Sequence, residues 1–225
     1  MADSRSSINI WVALADLFAG LMLFFVAAFL LTAEARQREQ VQFSPELIRA
    51  MNVATQTTRT LRAELEKRLS GDVGVRYSET DISIPSAALF RSFGYDDFLT
   101  DGEKRSLLTA VGEALVTALR AAGTERKYLR VVLEGHTDAD RIRPGAATQV
   151  MPTNWELSSR RSTGLLRFLE ELGLDPKVYK VMAIGLADTQ PVGPNDTEDG
   201  KALNRRIVIR LEPDIQSIIE AVRSR

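Results

Sequence analysis

Asp138 and Arg161 are the residues of this 225-residue chain whose types and placement point most directly to chemistry. Asp138 closes the run Gly135-His136-Thr137-Asp138, just after a stretch that reads as a buried strand, residues 128–134. Arg161 closes the block Asn154-Trp155-Glu156-Leu157-Ser158-Ser159-Arg160-Arg161, within the first two turns of an expected helix. A carboxylate accepts charge-assisted hydrogen bonds from an ammonium, and an arginine grips a carboxylate bidentately. Together they could hold a zwitterion, so an amino-acid-like group with both ends exposed is the natural ligand. The competing structural roles are capping of the next turn by Asp138 and an ion pair from Arg161 to Glu134 or Glu156. The single histidine, His136, reads as a turn-fixing residue rather than a base or ligand.

A third candidate stands apart from these. Asp16 interrupts an otherwise uncharged apolar run over residues 8–32. As a helix rising about 1.5 Å per residue, that run reaches across the roughly 30 Å of a bilayer's hydrocarbon. An ionisable group there costs on the order of 2.5–3.5 kcal/mol, which makes a proton or ion pathway the default reading. Ala13, Asp16, Gly20 and Ala27 fall near one face of the helix, while Phe18, Phe24, Phe25 and Phe29 supply bulk elsewhere. A small-residue face around a carboxyl is suited to meeting protein rather than lipid, and Asp16 is expected to be protonatable. A polar residue tolerated near the interface is one rival reading. A cleaved signal ending near Ala33-Glu34-Ala35 is the other, but the run exceeds the roughly 7–15 apolar residues of a signal core.

The composition bounds what else the chain could be. With 26% charged and 44% hydrophobic residues there is room for one span and one globular domain of ordinary size. A formal net charge of −1 disfavours nucleic acid as a partner. One histidine, no cysteine and no EF-hand spacing leave no expected metal site or cofactor. No nucleophile motif accompanies the histidine, so binding is expected and catalysis is not.

Periodicity supplies the elements that must position these residues. A helix is expected over residues 46–69, with Leu47, Met51, Ala54, Thr58, Leu61 and Leu65 at alternating steps of four and three. That stripe fits either a parallel dimer seam or a linker helix lying on its own domain. From residue 71 the pattern is α+β. Ile82 and Ile84 alternate in a strand, and Thr100-Asp101-Gly102-Glu103 reads as a capping box opening a helix through Leu107, Leu108, Val111, Leu115 and Leu119. Thr153-Asn154-Trp155-Glu156 reads as a second capping box, and Gly173 ends its helix. Strands are expected at 180–186 and 206–211, then a short helix within 214–225. The expected architecture is a mixed sheet with two helices on one face.

The Gly135-to-Asp138 and Asn154-to-Arg161 motifs, with Asn204-Arg205-Arg206, resemble the signature of OmpA-like peptidoglycan-binding domains over most of residues 71–213. The resemblance implies that Asp138 and Arg161 grip the amine and carboxylate of diaminopimelate in the wall peptide. It implies supporting roles for Thr137, Asn154, Leu157 and Arg205, with Arg205 and Arg206 split between the pocket and solvent or a carboxylate. The chain departs from short members of that family in the long connection 139–152, which carries Arg141 and Arg143. Residues 11–25 are similar to the membrane helix of MotB-like stator subunits, in which an aspartate at the matching position carries the proton. That resemblance implies a homodimer within a ring of a multi-pass MotA-like or ZorA-like partner in the bacterial inner membrane. It further implies a cytoplasmic tail (1–7), a span (8–32), a plug or linker region (33–70), a periplasmic wall-binding domain (71–213) and a C-terminal helix (214–225). The Asp-Leu-Phe-Ala-Gly-Leu-Met run is closer to ZorB subunits of Zorya anti-phage systems. A flagellar stator and a passive wall tether remain the alternatives.

Overall fold

The structure is a computed structural model describing residues 4–39, 45–69, 71, 73–91, 94–96, 98, 100–142 and 151–223. The chain divides into two compact units, residues 1–45 and 46–225. In the first, one helix, α1, runs over Ser4–Glu39. Its segment Ile10–Thr32, 23 residues with mean hydropathy 2.4, is long and apolar enough to cross a membrane. The large side chains of that segment stand exposed in the single chain, from Trp11 through Phe18 and Phe24 to Leu31. The expected plug region is helical as far as Glu39, and residues 40–44 lie outside the described residues.

The second unit contains α2 (Pro45–Arg68), β1 (Arg76–Tyr77), β2 (Asp81–Pro85), α3 (Ser86–Leu89), α4 (Gly102–Ala121), β3 (Leu129–His136), α5 (Asn154–Glu171), β4 (Lys180–Ala187), α6 (Glu198–Asn204), β5 (Arg206–Pro213) and α7 (Ile215–Arg223). The strands form one mixed sheet in the order β1-β2-β5-β3-β4. Only β3 and β4 pair in parallel, because α5 returns the chain between them as a crossover helix. Alternation in the strands sends Ile82, Ile84, Val131, Leu133, Ile207, Ile209 and Leu211 into one core with Leu108 and Leu115 of α4 and Leu165 and Phe168 of α5. Burying a residue of this size contributes about 1.5–3 kcal/mol, which sets α4 and α5 firmly on the sheet.

Two expectations needed adjustment. Two helices were expected on the sheet, but α2 shares the same core through Ala54, Leu61 and Leu65, while Ala50 packs with Tyr128 and Ile218. The heptad-like stripe is thus largely consumed within its own domain, leaving Met51 52% exposed. A dimer seam and an amphipathic face share the same three-and-four spacing, so periodicity could not separate them. The second correction concerns α4, whose N-cap is Asp101 rather than Thr100. The Asp101 side chain accepts from the backbone N–H groups of Glu103 and Lys104 at 3.1 and 3.3 Å.

Candidate functional site

A pair of glycines facing each other in the sheet places the candidate site. Gly135 and Gly185 are partners in the β3–β4 ladder, and the backbone of Ser158 and Ser159 lies against them. A Cβ at 135 would stand 2.2 Å from the Ser158 carbonyl oxygen, and one at 185 would stand 2.4 Å from the Ser159 nitrogen. Only glycine permits so close an approach. Ser158 is fully buried there and accepts the Ala187 N–H at 3.2 Å. This contact sets the first two turns of α5, and with them Leu157 and Arg161, beside the end of β3.

The N-terminus of α5 is fixed by the expected capping box. The Thr153 hydroxyl accepts the Trp155 N–H at 3.2 Å, and the Glu156 carboxylate accepts the Thr153 N–H at 2.9 Å. On the other side, Thr137 extends the β3–β4 ladder by donating its N–H to the Ala187 carbonyl at 2.9 Å. The chain then turns at Asp138, whose Oδ1 accepts the Asp140 N–H at 3.2 Å. Asp138 therefore does cap its own turn, but its other oxygen forms an ion pair with Arg205. Asn154 ties the turn to the helix by donating to the Asp138 and Asp140 carbonyls, both at 3.0 Å. Asn195 accepts the Ala139 N–H at 3.2 Å, and Lys201 pairs with Asp140 at 3.0 Å.

All six expected residues, Asp138, Arg161, Thr137, Asn154, Leu157 and Arg205, line one cavity of about 500 Å³. Asp138 and Arg161 are only 8% and 4% exposed. Glu134 is held by Arg210 and His136, and Glu156 by the cap, so neither of the carboxylates weighed as a partner for Arg161 serves it. Its Nε donates instead to the Gly94 carbonyl at 2.9 Å, and its guanidinium lies 4.9 Å from the centre of the Phe90 ring. Two polar atoms of residues lining the cavity, Thr137 Oγ1 and Ser86 Oγ, are buried without a partner among the described residues. A buried donor or acceptor in that state carries a free-energy cost, and the Thr137 hydroxyl is available to a ligand.

The arginines divide differently from the sequence expectation. Arg205 faces the cavity. Arg206 is buried, forms no ion pair among the described residues, and donates to the carbonyls of Gln190 and Asn204 at 3.0 and 3.4 Å. Burial holds its guanidinium below the usual arginine range, partly offset by the charges of Glu134 and Asp81. The structural role expected of His136 fits its burial on the opposite sheet face, 3.2 Å from Glu134. Burial pushes the Glu134 carboxyl up, but hydrogen bonds from His136 and Arg210 and the Arg210 charge outweigh it and hold that carboxyl low.

Sequence reading missed the wall made by Ser86, Ala87 and Phe90, because the single helical turn of α3 has no periodicity to reveal it. It also assigned no task to Asn204. This buried residue accepts the N–H groups of Val192 and Gly193 at 2.8 and 2.9 Å and donates to the side-chain oxygen of Asn195 at 2.9 Å. The loop that carries Asn195 to Ala139 is knotted by it. Its place in the Asn204-Arg205-Arg206 run was the available signal. Residues 143–150 of the long connection, with Arg143, lie outside the described residues.

Residues 102–205 match the OmpA family. Curated relatives include the Bacillus subtilis protein YtxE, 34% identical over 115 residues that cover 47% of this chain and 45% of YtxE. Motility protein B of the same organism is 32% identical over 84 residues, 37% of this chain and 30% of that protein. The chain thus spans less than half the length of these two relatives. Among solved structures, a MotB-like protein from Desulfovibrio vulgaris has the same fold, with a TM-score of 0.57 and 24% identity over 73% of this chain and 94% of that one. Around the cavity, then, residues 102–205 match the OmpA family, and the unit that holds them has the fold of the MotB-like protein from Desulfovibrio vulgaris.

Proposed function

We propose that the chain is the wall-anchored B subunit of a proton-driven rotary motor in the bacterial inner membrane, with its N-terminus cytoplasmic and its OmpA-family domain periplasmic. The observation that carries the anchoring half is the convergence of six residues, chosen by motif alone, on one cavity with a buried carboxylate and a buried guanidinium. In this reading Asp138 receives the ammonium of diaminopimelate and Arg161 its carboxylate. Thr137 adds a hydroxyl, Leu157 an apolar wall, and Asn154 and Arg205 hold Asp138 in place.

The motor half rests on Asp16 in the apolar segment of α1. Asp16 carries the proton between a homodimer of this chain and a multi-pass MotA-like or ZorA-like partner. One charge crossing the membrane releases about 2.3 kcal/mol per 100 mV, and a wall-fixed subunit lets that energy appear as torque in the partner ring. We assign the motor to Zorya-type anti-phage defence, where the chain would be the ZorB subunit, with flagellar motility as the other use of the same device. A passive tether has no use for a carboxyl at Asp16, which is the feature that separates the readings.

The test couples both halves. The full chain, purified with its membrane partner, is assayed for retention on purified wall sacculi and, in vesicles, for proton flux. Asp138→Asn is expected to lower retention at least tenfold and leave the partner bound, while Asp16→Asn abolishes flux and leaves retention intact. Unchanged retention refutes the anchor, and flux indifferent to Asp16→Asn refutes the motor. Phage plating beside swarming in cells carrying Asp16→Asn then decides between defence and motility.

A further inference from the structure

Six serine and threonine residues are buried among the described residues, and four of them donate their hydroxyls to backbone carbonyls of their own helix. Thr57 and Thr58 bond the carbonyls of Val53 and Ala54 at 2.7 and 3.0 Å, and Ser158 and Ser162 those of Trp155 and Ser159, both at 3.1 Å. The other two, Ser86 and Thr137, have hydroxyls without a partner among the described residues, and both line the cavity that holds Asp138. A buried hydroxyl left unpaired costs about 1–3 kcal/mol, so two in one cavity point to a ligand whose polar atoms meet them. Thr137 adjoins Asp138 in the chain. Ser86 donates its N–H to the Arg205 carbonyl at 2.8 Å, and the Arg205 guanidinium pairs with Asp138. Phe90, just past the other end of α3, lies against Arg161 instead, 4.9 Å from guanidinium to ring centre. Both hydroxyls are thus tied to the Asp138 end of the cavity, where the ligand ammonium belongs.

We propose that Ser86 is a further ligand-binding residue, which with Thr137 and Asp138 completes a three-acceptor seat for a primary ammonium. This assignment rests on the wall-peptide reading above, in which Ser86 has no part. A primary ammonium carries three N–H donors, and Asp138, already accepting from Asp140 and Arg205, takes one of them. The hydroxyl oxygens of Thr137 and Ser86 take the other two. A serine oxygen moves between staggered χ1 positions, so it can turn to the ligand without displacing the backbone that Arg205 holds. An amine that keeps its charge but loses N–H groups to methylation leaves part of this seat empty and is disfavoured.

Calorimetric titration of the full chain in detergent micelles tests this with two synthetic diaminopimelate tripeptides, alike except that the free amine is primary in one and N,N-dimethylated in the other. The native chain is expected to prefer the primary amine. Ser86→Ala should weaken the primary amine roughly tenfold, the range of a hydrogen bond to a charged group, and shift the dimethylated peptide by less than about twofold. The same variant should unfold in urea no more easily than the native chain, because the hydroxyl it loses has no partner without ligand. Unchanged affinity of Ser86→Ala for the primary amine, an equal loss for both peptides, or a loss of unliganded stability overturns the assignment by itself. Binding of neither peptide by the native chain overturns the wall-peptide reading and this assignment with it.

Discussion

The seat of α5 on the sheet comes down to one missing carbon. In Gly135→Ala the new Cβ would meet the Ser158 carbonyl oxygen at 2.2 Å and its carbon at 2.9 Å. Both atoms belong to helix backbone, so no flexible side chain can swing aside. Reaching an ordinary contact of about 3.4 Å requires a shift of about 1.2 Å (3.4 − 2.2) between α5 and β3. Displacement of that kind in a packed interior costs about 1–3 kcal/mol. The same shift moves Arg161, one turn beyond Ser158, away from Asp138, three residues beyond Gly135. We therefore expect Gly135→Ala to lose about 2–3 kcal/mol of stability and to weaken sacculus retention more than the stability loss alone explains. Urea unfolding of the full chain, read from Trp155 in a Trp11→Phe background, measures the first quantity. Gly102→Ala serves as the control, since a Cβ at that helical position meets nothing within 4 Å; it should be neutral or stabilising by up to about 1 kcal/mol. A Gly135→Ala chain that unfolds within ~0.5 kcal/mol of the native one and binds normally would refute the claim that this contact seats the helix.

Two more outcomes follow from the same framework. Glu134 and Asp214 are both held below the usual carboxylate range, because partners outweigh burial: His136 and Arg210 for the first, Lys180 and Ser217 for the second. A depressed folded value contributes stability that is full above the unfolded value of about 4 and is lost as pH falls through the folded one, so unfolding free energy should drop on acidification below about pH 4.5. Glu134→Gln should flatten that decline, while Asp214 keeps part of it, and should cost about 1–3 kcal/mol at neutral pH; an unchanged pH profile would remove Glu134 from the account. Thr153→Ala deletes the hydroxyl that caps α5 and should lower stability by about 1 kcal/mol in the same urea assay, with no loss meaning that α5 is held by its packing alone.

What the sequence revealed, it revealed through strong local patterns. The strand from Leu129, the capping box at Thr153 and the helix stop at Gly173, where φ is +99°, each follow from residue types that act within a few positions. The placement of the candidate residues was legible for the same reason, since a carboxylate just past a strand and a guanidinium near a helix start are local placements. What escaped was set by distant partners. Ser86 and Phe90 become a cavity wall only because β2 pairs with β5, and the Ser86 N–H then donates to the Arg205 carbonyl at 2.8 Å. The destination of Arg206, the carbonyls of Gln190 and Asn204, likewise depends on how the loop before α6 folds over β5. The stripe on α2 shows the reverse case, a clear local pattern whose partner only the tertiary structure could choose.

The pairing of Asp138 with Arg205 bears on what the cavity can select. Oδ1 of Asp138 accepts the Asp140 N–H, and Oδ2 accepts Arg205. A carboxylate offers about four lone-pair positions, so a ligand ammonium can join without displacing either donor. Because Asn154, Asn195, Lys201 and Arg205 already fix the turn, little ordering remains to be done when the ligand arrives. Yet Arg205 also cancels much of the field that would attract an amine. On the proposed wall-peptide reading a simple amine therefore gains little at Asp138, and a ligand recovers that loss by bringing negative charge to Arg161 at the same time. Selectivity for a group carrying both signs of charge is then the expected consequence of a carboxylate that is positioned and partly neutralised by the same residue.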